Sequence, residues 1–175
     1  MIDLPMIEGV EMRRCREDNL AQVLELESTV LAHLDRPDQL RRNTPALWRR
    51  CLQPPHICLG TWDGPTLVAL AVLYVPYDGD PEALAPLLQK VESKNYHSAN
   101  YKICLVHPDW RGHHLQVLMG RQLHEEARRM GLDLICATAS PHNTASIKSL
   151  ERLGYRPDHQ VEKYGFERIV FYCFI

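Results

Sequence analysis

The stretch "VHPDWRGHHLQ", Val106 to Gln116, sets an arginine and a glycine between an apolar, strand-like run and a helix-patterned one. Such a junction leaves the first backbone N–H groups of the helix unpaired and converging on one spot, with the positive end of the helix dipole behind them, so the spot attracts an anion. Gly112 lets the chain turn tightly and Arg111 offers a cation at the rim. Strand, Arg-Gly and helix also occur together as plain connectivity. A second polar cluster, "SPHNTASIKSLERLGY", runs from Ser140 to Tyr155 and holds His142, Asn143, Ser146 and Ser149 around another helix start. Asn143 there reads equally as a helix N-cap and as a ligand contact.

These residues need a scaffold. "VEMRRC" reads as a strand leading, through Asp18 or Asn19 as cap, into a helix with apolar residues at Leu20, Val23 and Leu24. "RPDQLRRNTPALWRRCLQPP" reads as a proline-interrupted helical stretch ending before Pro54. In "HICLGTWDGPTLVALAVLYV" the Asp63-Gly64 pair predicts a hairpin of antiparallel strands. Pro76 to Asn100 reads as a surface insertion with a helical middle, able to overhang a site. "YKICLVHP" is a strand, and the spacing of Leu115, Met119, Leu123, Ala127 and Met130, with Arg128 and Arg129 before Gly131, predicts a helix. "LDLICATAS" reads as a buried strand, "NTASIKSLERLG" as a helix and "RIVFYCFI" as a final strand, either completing the sheet internally or pairing across a homodimer.

Composition narrows the classes. With 175 residues, 45% hydrophobic and 24% charged, the chain fits one globular domain. The net charge of -2, with both signs interspersed, leaves no basic field for a nucleic-acid backbone. The longest apolar run, Leu67 to Val75, is too short for a bilayer, and "MIDLPMIEGVEMRR" lacks the pattern of a secretory signal. Six cysteines without a CxxC pair read as reduced thiols of a cytoplasmic protein. Nine histidines form no HExxH or His-Cys cluster, so no metal is expected, and neither GxGxxG nor GxxxxGK[ST] is present.

The element order, the turn "RGHHLQ", the segment "SPHNTASIKSLERLGY" and the terminal strand together resemble the GCN5-related N-acetyltransferase (GNAT) family, whose members bind acetyl-CoA. The resemblance covers Tyr101 to Tyr155 most fully, reaches the first strand and helix, and leaves out the insertion. It implies a single-domain α/β fold over residues 1–175, a central mixed, twisted sheet flanked by helices. It implies transfer of an acetyl group from acetyl-CoA to an amine of a small molecule or peptide, without nucleic acid or membrane.

In that family the turn commonly reads Arg/Gln-x-x-Gly-x-Gly/Ala. Arg111 matches its first residue, while His114 and Gln116 replace the later small ones; Leu115-Gln116 is similar to the turn of a bacterial subgroup. By this likeness Gly112, His113, His114, Leu115 and Gln116 present backbone N–H groups to the pyrophosphate. His114 either crowds it or turns outward and, when protonated, adds a contact. The strand Ile103 to Val106, with Leu105 and Val106 nearest the turn, is expected to splay from its neighbour and expose backbone groups to the pantetheine arm. Asn143 matches a family Asn that contacts that arm, and Ser146 a small residue that lets the helix pack closely.

Acetyl transfer needs a neutral amine, stabilisation of an oxyanion and departure of a thiolate. Many family members place a tyrosine as acid where this chain has Leu150. A thiol of pKa about 8.5 is only about 2 kcal/mol from leaving as the anion at pH 7, so water or Ser149 can serve. His142 and Tyr101 are candidate bases, and His142 reads as well as a solvated loop residue. His97, Tyr164 and Arg168 are candidate acceptor-pocket residues, the last two in a loop feeding the final strand. His114 and Leu150 favour the rival reading, a CoA-binding or protein-interaction domain that has kept the fold without catalysis.

Overall fold

The computed structural model describes residues 7–175, so the first six residues of the stretch read for a secretory signal lie outside it. Eleven regular elements follow in order: β1 (Val10–Cys15), α1 (Leu20–Ala32), α2 (Pro45–Cys51), β2 (Ile57–Asp63), β3 (Thr66–Tyr74), β4 (Ser98–Val106), α3 (Leu115–Arg129), β5 (Leu134–Ala139), α4 (Thr144–Arg152), β6 (Arg156–Lys163) and β7 (Phe166–Phe174). The strands form one sheet in the order β1-β2-β3-β4-β5-β7-β6. Every neighbouring pair is antiparallel except β4 and β5. This is the mixed α/β sheet expected. None of the described helices is long and apolar enough to cross a membrane.

Two cores sandwich the sheet. One lies under α3 and α4, around Met119, Leu123, Leu150 and Phe171. The other lies under α1 and α2, around Val23, Leu26, Trp48 and Leu70. Gly120 on α3 sets the approach of α4, since a Cβ there would stand 2.5 Å from Leu153 Cδ1. On the opposite face the buried Glu27 carboxylate accepts from the Asn43 N–H at 2.9 Å, from Asn43 Nδ2 at 2.9 Å and from Trp48 Nε1 at 3.0 Å. That network ties the segment entering α2 to α1.

Several expectations change. Asn19 stands at the N-cap of α1, but its Oδ1 accepts from the Arg16 N–H instead of capping the helix. The second helical stretch shortens to α2, capped by Thr44 with Pro45 at its first position. The insertion has short 3-10 turns, not a helical middle, and its last residues, Ser98–Asn100, belong to β4. Nor does it hang loose. Asp158 on β6 accepts from the N–H groups of Gln89 and Lys90, both at 2.9 Å, and Asn100 Oδ1 accepts from Leu84 N–H at 3.3 Å. Burial alone would raise the Asp158 pKa, but those two N–H groups and His159 outweigh it and hold it below the usual carboxylate value.

The segment "RPDHQVEK", for which the sequence predicts no strand, is the edge strand β6, and Tyr164 lies in the tight turn joining it to β7. Arg168, the first residue of the predicted strand "RIVFYCFI", lies within β7, which begins two residues earlier at Phe166. The final strand is paired on both sides, with β5 and β6, which removes it as a surface for pairing across a dimer. All six cysteines are free thiols, five buried and Cys104 half-buried.

Candidate functional site

β4 and β5 pair only over Ser98–Asn100 and Leu134–Cys136. Beyond that point β4 continues along β3 while β5 continues along β7, so the two part. Between Ala71 and Leu73 of β3 the register slips, placing both Lys102 and Ile103 against Val72. Such a bulge bends and over-twists the strand that carries it, which accounts for the splay. The His107 N–H donates to Val68 O at 2.8 Å, which fixes the alternation of the antiparallel ladder. Leu105 turns its N–H and C=O toward β3, whereas Cys104 and Val106 turn theirs toward the gap.

At the end of β4 a 3-10 turn, Pro108–Trp110, leads to the start of α3. Gly112 has φ +84°. His114, the N-cap, is left-handed at φ 59° and ψ 23°, a conformation histidine tolerates better than most residues. Among the described residues no backbone carbonyl accepts from the N–H groups of Gly112 through Gln116. The His114 ring does not lie across them: its Nδ1 accepts from Arg152 Nη1 at 2.9 Å. An arginine can only donate, so the contact expected from a protonated His114 is replaced at that nitrogen by a bond to a cation already present.

Gly112, His114, Leu115 and Gln116 open onto a cleft of about 630 Å³ between α1, the α3 turn and α4. Arg111, Lys148 and Arg152 line it as cations, with Asp35 as the single carboxylate. A row of free N–H groups, a helix dipole and this cationic rim fit a polyanion. A second cavity of about 100 Å³ occupies the gap between β4 and β5 and shares Cys104, Gln116, Asn143 and Ser146 with the cleft.

Gln116 braces the junction. Its carbonyl accepts from Tyr101 Oη at 2.9 Å and its Nε2 donates to Ser146 Oγ at 3.3 Å. Asn143 Oδ1 accepts from the Ser146 N–H at 3.1 Å, so Asn143 caps α4 while lining both cavities. The close packing of α3 and α4 rests on Gly120 more than on Ser146, whose hydroxyl is used by Gln116.

The other sequence candidates separate. Leu105 is wholly buried in the core against α1 and α2, and its backbone faces β3, so it does not face the gap. His113 is exposed beside Trp110 and lines neither cavity. His97 is exposed at the beginning of β4, the far end from the turn, and its carbonyl accepts from Asp133 and Leu134. Tyr101 is buried with its hydroxyl committed to Gln116, and burial drives its pKa well above the ordinary value, so it is not a base. His142 and Ser149 line the outer cleft, away from the smaller cavity, which Leu150 lines instead. Tyr164 and Arg168 do line the smaller cavity.

Among the lining residues that the sequence reading did not single out are Arg41, Asn43 and Lys102. The one local signal was a lysine inside the apolar strand "YKICLV". Lys102 Nζ is ion-paired with Glu82 of the insertion, and Arg41 reaches the same carboxylate at 3.4 Å while stacking 3.8 Å over the Tyr164 ring. Burial pulls the Lys102 pKa down against the support of Glu82. Burial would raise Glu82, but the Lys102 contact prevails and holds it low, as an ion pair requires. Burial pushes the Tyr164 hydroxyl and the Cys104 thiol each up to about 12. Among the described residues no group of three or more His, Cys, Asp or Glu is gathered to hold a metal.

Comparison with known proteins follows the same lines. A family model described as "Acetyltransferase (GNAT) family" matches residues 20–155. The fold resembles that of the yncA protein of Salmonella typhimurium, solved with its cofactor acetyl-CoA, at 17% identity and a TM-score of 0.70, covering 95% of this chain and 94% of that one. It also resembles the ribosomal-protein-S18-alanine N-acetyltransferase of Escherichia coli, at 15% identity and a TM-score of 0.71 over 95% and 94% of the two chains. A GCN5-related N-acetyltransferase from Kribbella flavida gives 17% identity and a TM-score of 0.69 over 96% and 99%. No curated protein matches the chain.

Proposed function

The chain belongs to the GNAT acetyltransferase family, and from that premise we propose that it transfers an acetyl group from acetyl-CoA to the amine of a small molecule or peptide. The observation that carries the proposal is the continuity of the site: the unpaired N–H groups of the α3 turn and the open backbone of Cys104 and Val106 share one cleft, which runs into the smaller cavity. The N–H groups from Gly112 to Gln116, with Arg111, Lys148 and Arg152, suit the pyrophosphate. Val106 and Cys104 suit an extended amide-bearing arm, which they can pair as an edge strand would. When bound, acetyl-CoA supplies the activated acyl group and a thiolate leaving group.

The protein's own residues prepare the acceptor. No Asp, Glu or His lines the smaller cavity among the described residues, while Arg41, Lys102 and Arg168 do. Nearby cations disfavour a second positive charge and lower the pKa of an amine held among them, which favours its nucleophilic neutral form. Tyr164, with its hydroxyl kept protonated, is a donor there and not a base. The open N–H groups of β4 are the donors available to charge developing on the acyl oxygen. With Leu150 apolar and buried, the thiolate leaves without a side-chain acid at that position. The unpaired cysteines support a reducing, cytoplasmic setting.

Thiol release from acetyl-CoA, followed with a panel of amines between pH 6 and 9, tests the reading. Turnover rising with pH toward the amine's pKa is expected. Tight acetyl-CoA binding without transfer to any amine would instead support the non-catalytic alternative, which Leu150 favours.

A further inference from the structure

Three cations meet in the smaller cavity from three distant segments: Arg41 before α2, Lys102 in the bulge of β4 and Arg168 in β7. Two of them share Glu82. Arg168 is different. It is 4% exposed, and among the described residues no carboxylate lies within ion-pair distance of it. Its Nη1 donates to the backbone carbonyl of Asp38, and its guanidinium lies 5.4 Å from the Phe166 ring centre. The Asp38 carboxylate is turned elsewhere: Oδ1 accepts from Arg36 Nε at 3.0 Å and Oδ2 from Ser140 Oγ at 3.1 Å.

A guanidinium has five N–H donors in a planar fork that matches a carboxylate two bonds at a time. Burying such a charge with one neutral acceptor is costly, and an anion arriving beside it removes most of that cost. Arg41 and Lys102 share the single Glu82, whereas the Asp38 carboxylate supports the Arg168 charge only from nearby, held by Arg36 and Ser140 and not paired with the guanidinium. A cavity of about 100 Å³ admits a small molecule.

Resting on the acetyl-transfer reading, we infer that the acceptor is a small amine carrying a carboxylate, as an α-amino acid does, and that Arg168 is the residue that binds the carboxylate. Arg41, stacked on Tyr164, closes the other side of the same pocket. The amine end then extends toward Cys104, where the cavity joins the cleft.

The test compares the twenty common amino acids with their carboxamides in the thiol-release assay, and by thermal shift in the presence of desulfo-CoA. The best free acid should exceed its own carboxamide at least about tenfold in kcat/KM, a difference of about 1.4 kcal/mol. Arg168→Gln should bring that ratio near one through the KM of the acid, with the affinity for acetyl-CoA unchanged, and Arg168→Lys should restore part of it. Where Arg168→Gln fails to fold, Arg41→Gln, at a partly exposed side chain, should raise the KM of the acid more than that of its carboxamide and so lower the ratio. Carboxamides or an amidated peptide serving as well as free acids would overturn the inference while leaving acetyl transfer intact, as would a ratio indifferent to both arginines. Stabilisation by free acids alone, without turnover, would keep the carboxylate site and overturn the enzyme.

Discussion

Replacing His114 separates the backbone of the α3 turn from the ring that departs from the family pattern. The left-handed backbone at this residue costs an ordinary L-residue about 1–2 kcal/mol, a cost that glycine escapes. Against that gain, His114→Gly loses the exposed bond from Arg152, worth about 0.5–1.5 kcal/mol, and gives the unfolded chain extra freedom worth about 0.4–1 kcal/mol. The contributions cancel to within about 1 kcal/mol, so Tm should move by less than about 4 °C for a chain of this size. The five N–H groups survive, and Arg152 is released toward the cleft. An exposed cation beside a phosphate adds up to about 1 kcal/mol, so the Kd for acetyl-CoA should stay the same or tighten by up to about fivefold. His114→Ala keeps the backbone cost, loses the ring, and should match the glycine variant in affinity while being about 1 kcal/mol less stable. Calorimetric titration of both variants, with Tm measured alongside, decides it. A loss of affinity beyond tenfold in both, at unchanged Tm, would show that the ring itself is a ligand and refute the backbone argument.

His124 is buried against Tyr155, with Nε2 2.9 Å from the hydroxyl, and burial lowers its pKa from 6.5 to about 4. Between those values the unfolded chain takes up a proton that the folded chain refuses. Stability should therefore fall by up to about 3 kcal/mol as pH drops through that window and be untouched by this group above it. His124→Gln should flatten the trend in urea midpoints between pH 7 and 4.5, and identical slopes in both proteins would contradict it. Asp158→Ala strands the N–H groups of Gln89 and Lys90, a local loss of about 2 kcal/mol that should speed proteolysis within residues 75–97; unchanged cleavage would show that the insertion is held elsewhere. Gly120→Val drives a side chain into Leu153 and should cost about 1–3 kcal/mol in chemical denaturation, whereas a neutral result would mean α4 shifts freely.

What the sequence disclosed was local. The helix spacing of α3, the Asp63-Gly64 turn and the Asn143 cap each depend on neighbours a few residues apart, and each stands in the structure. β6 was missed because an edge strand exposed on one face has little apolar alternation, and Val161 is the single aliphatic residue in "RPDHQVEK". The insertion shows helical spacing, but Pro81 and Pro86 interrupt it, and its anchors, Asn100 and Asp158, lie 16 and 69 residues from the groups they hold. Of the smaller cavity the sequence named Tyr164 and Arg168 but not Arg41 or Lys102, for the same reason. Arg41, Lys102, Tyr164 and Arg168 become neighbours only through the bulge in β4 and the β6–β7 turn.

The central claim is that the α3 turn, with a histidine in place of glycine, is a working cradle for the pyrophosphate of acetyl-CoA. Calorimetric titration with acetyl-CoA, with desulfo-CoA and adenosine bisphosphate as comparisons, measures it directly. Micromolar binding that desulfo-CoA retains and the bisphosphate largely loses is the expected result, because the N–H groups of Gly112 to Gln116 and the open edge of β4 act together. No detectable binding at millimolar acetyl-CoA would contradict the claim and leave the fold to serve a partner of another kind.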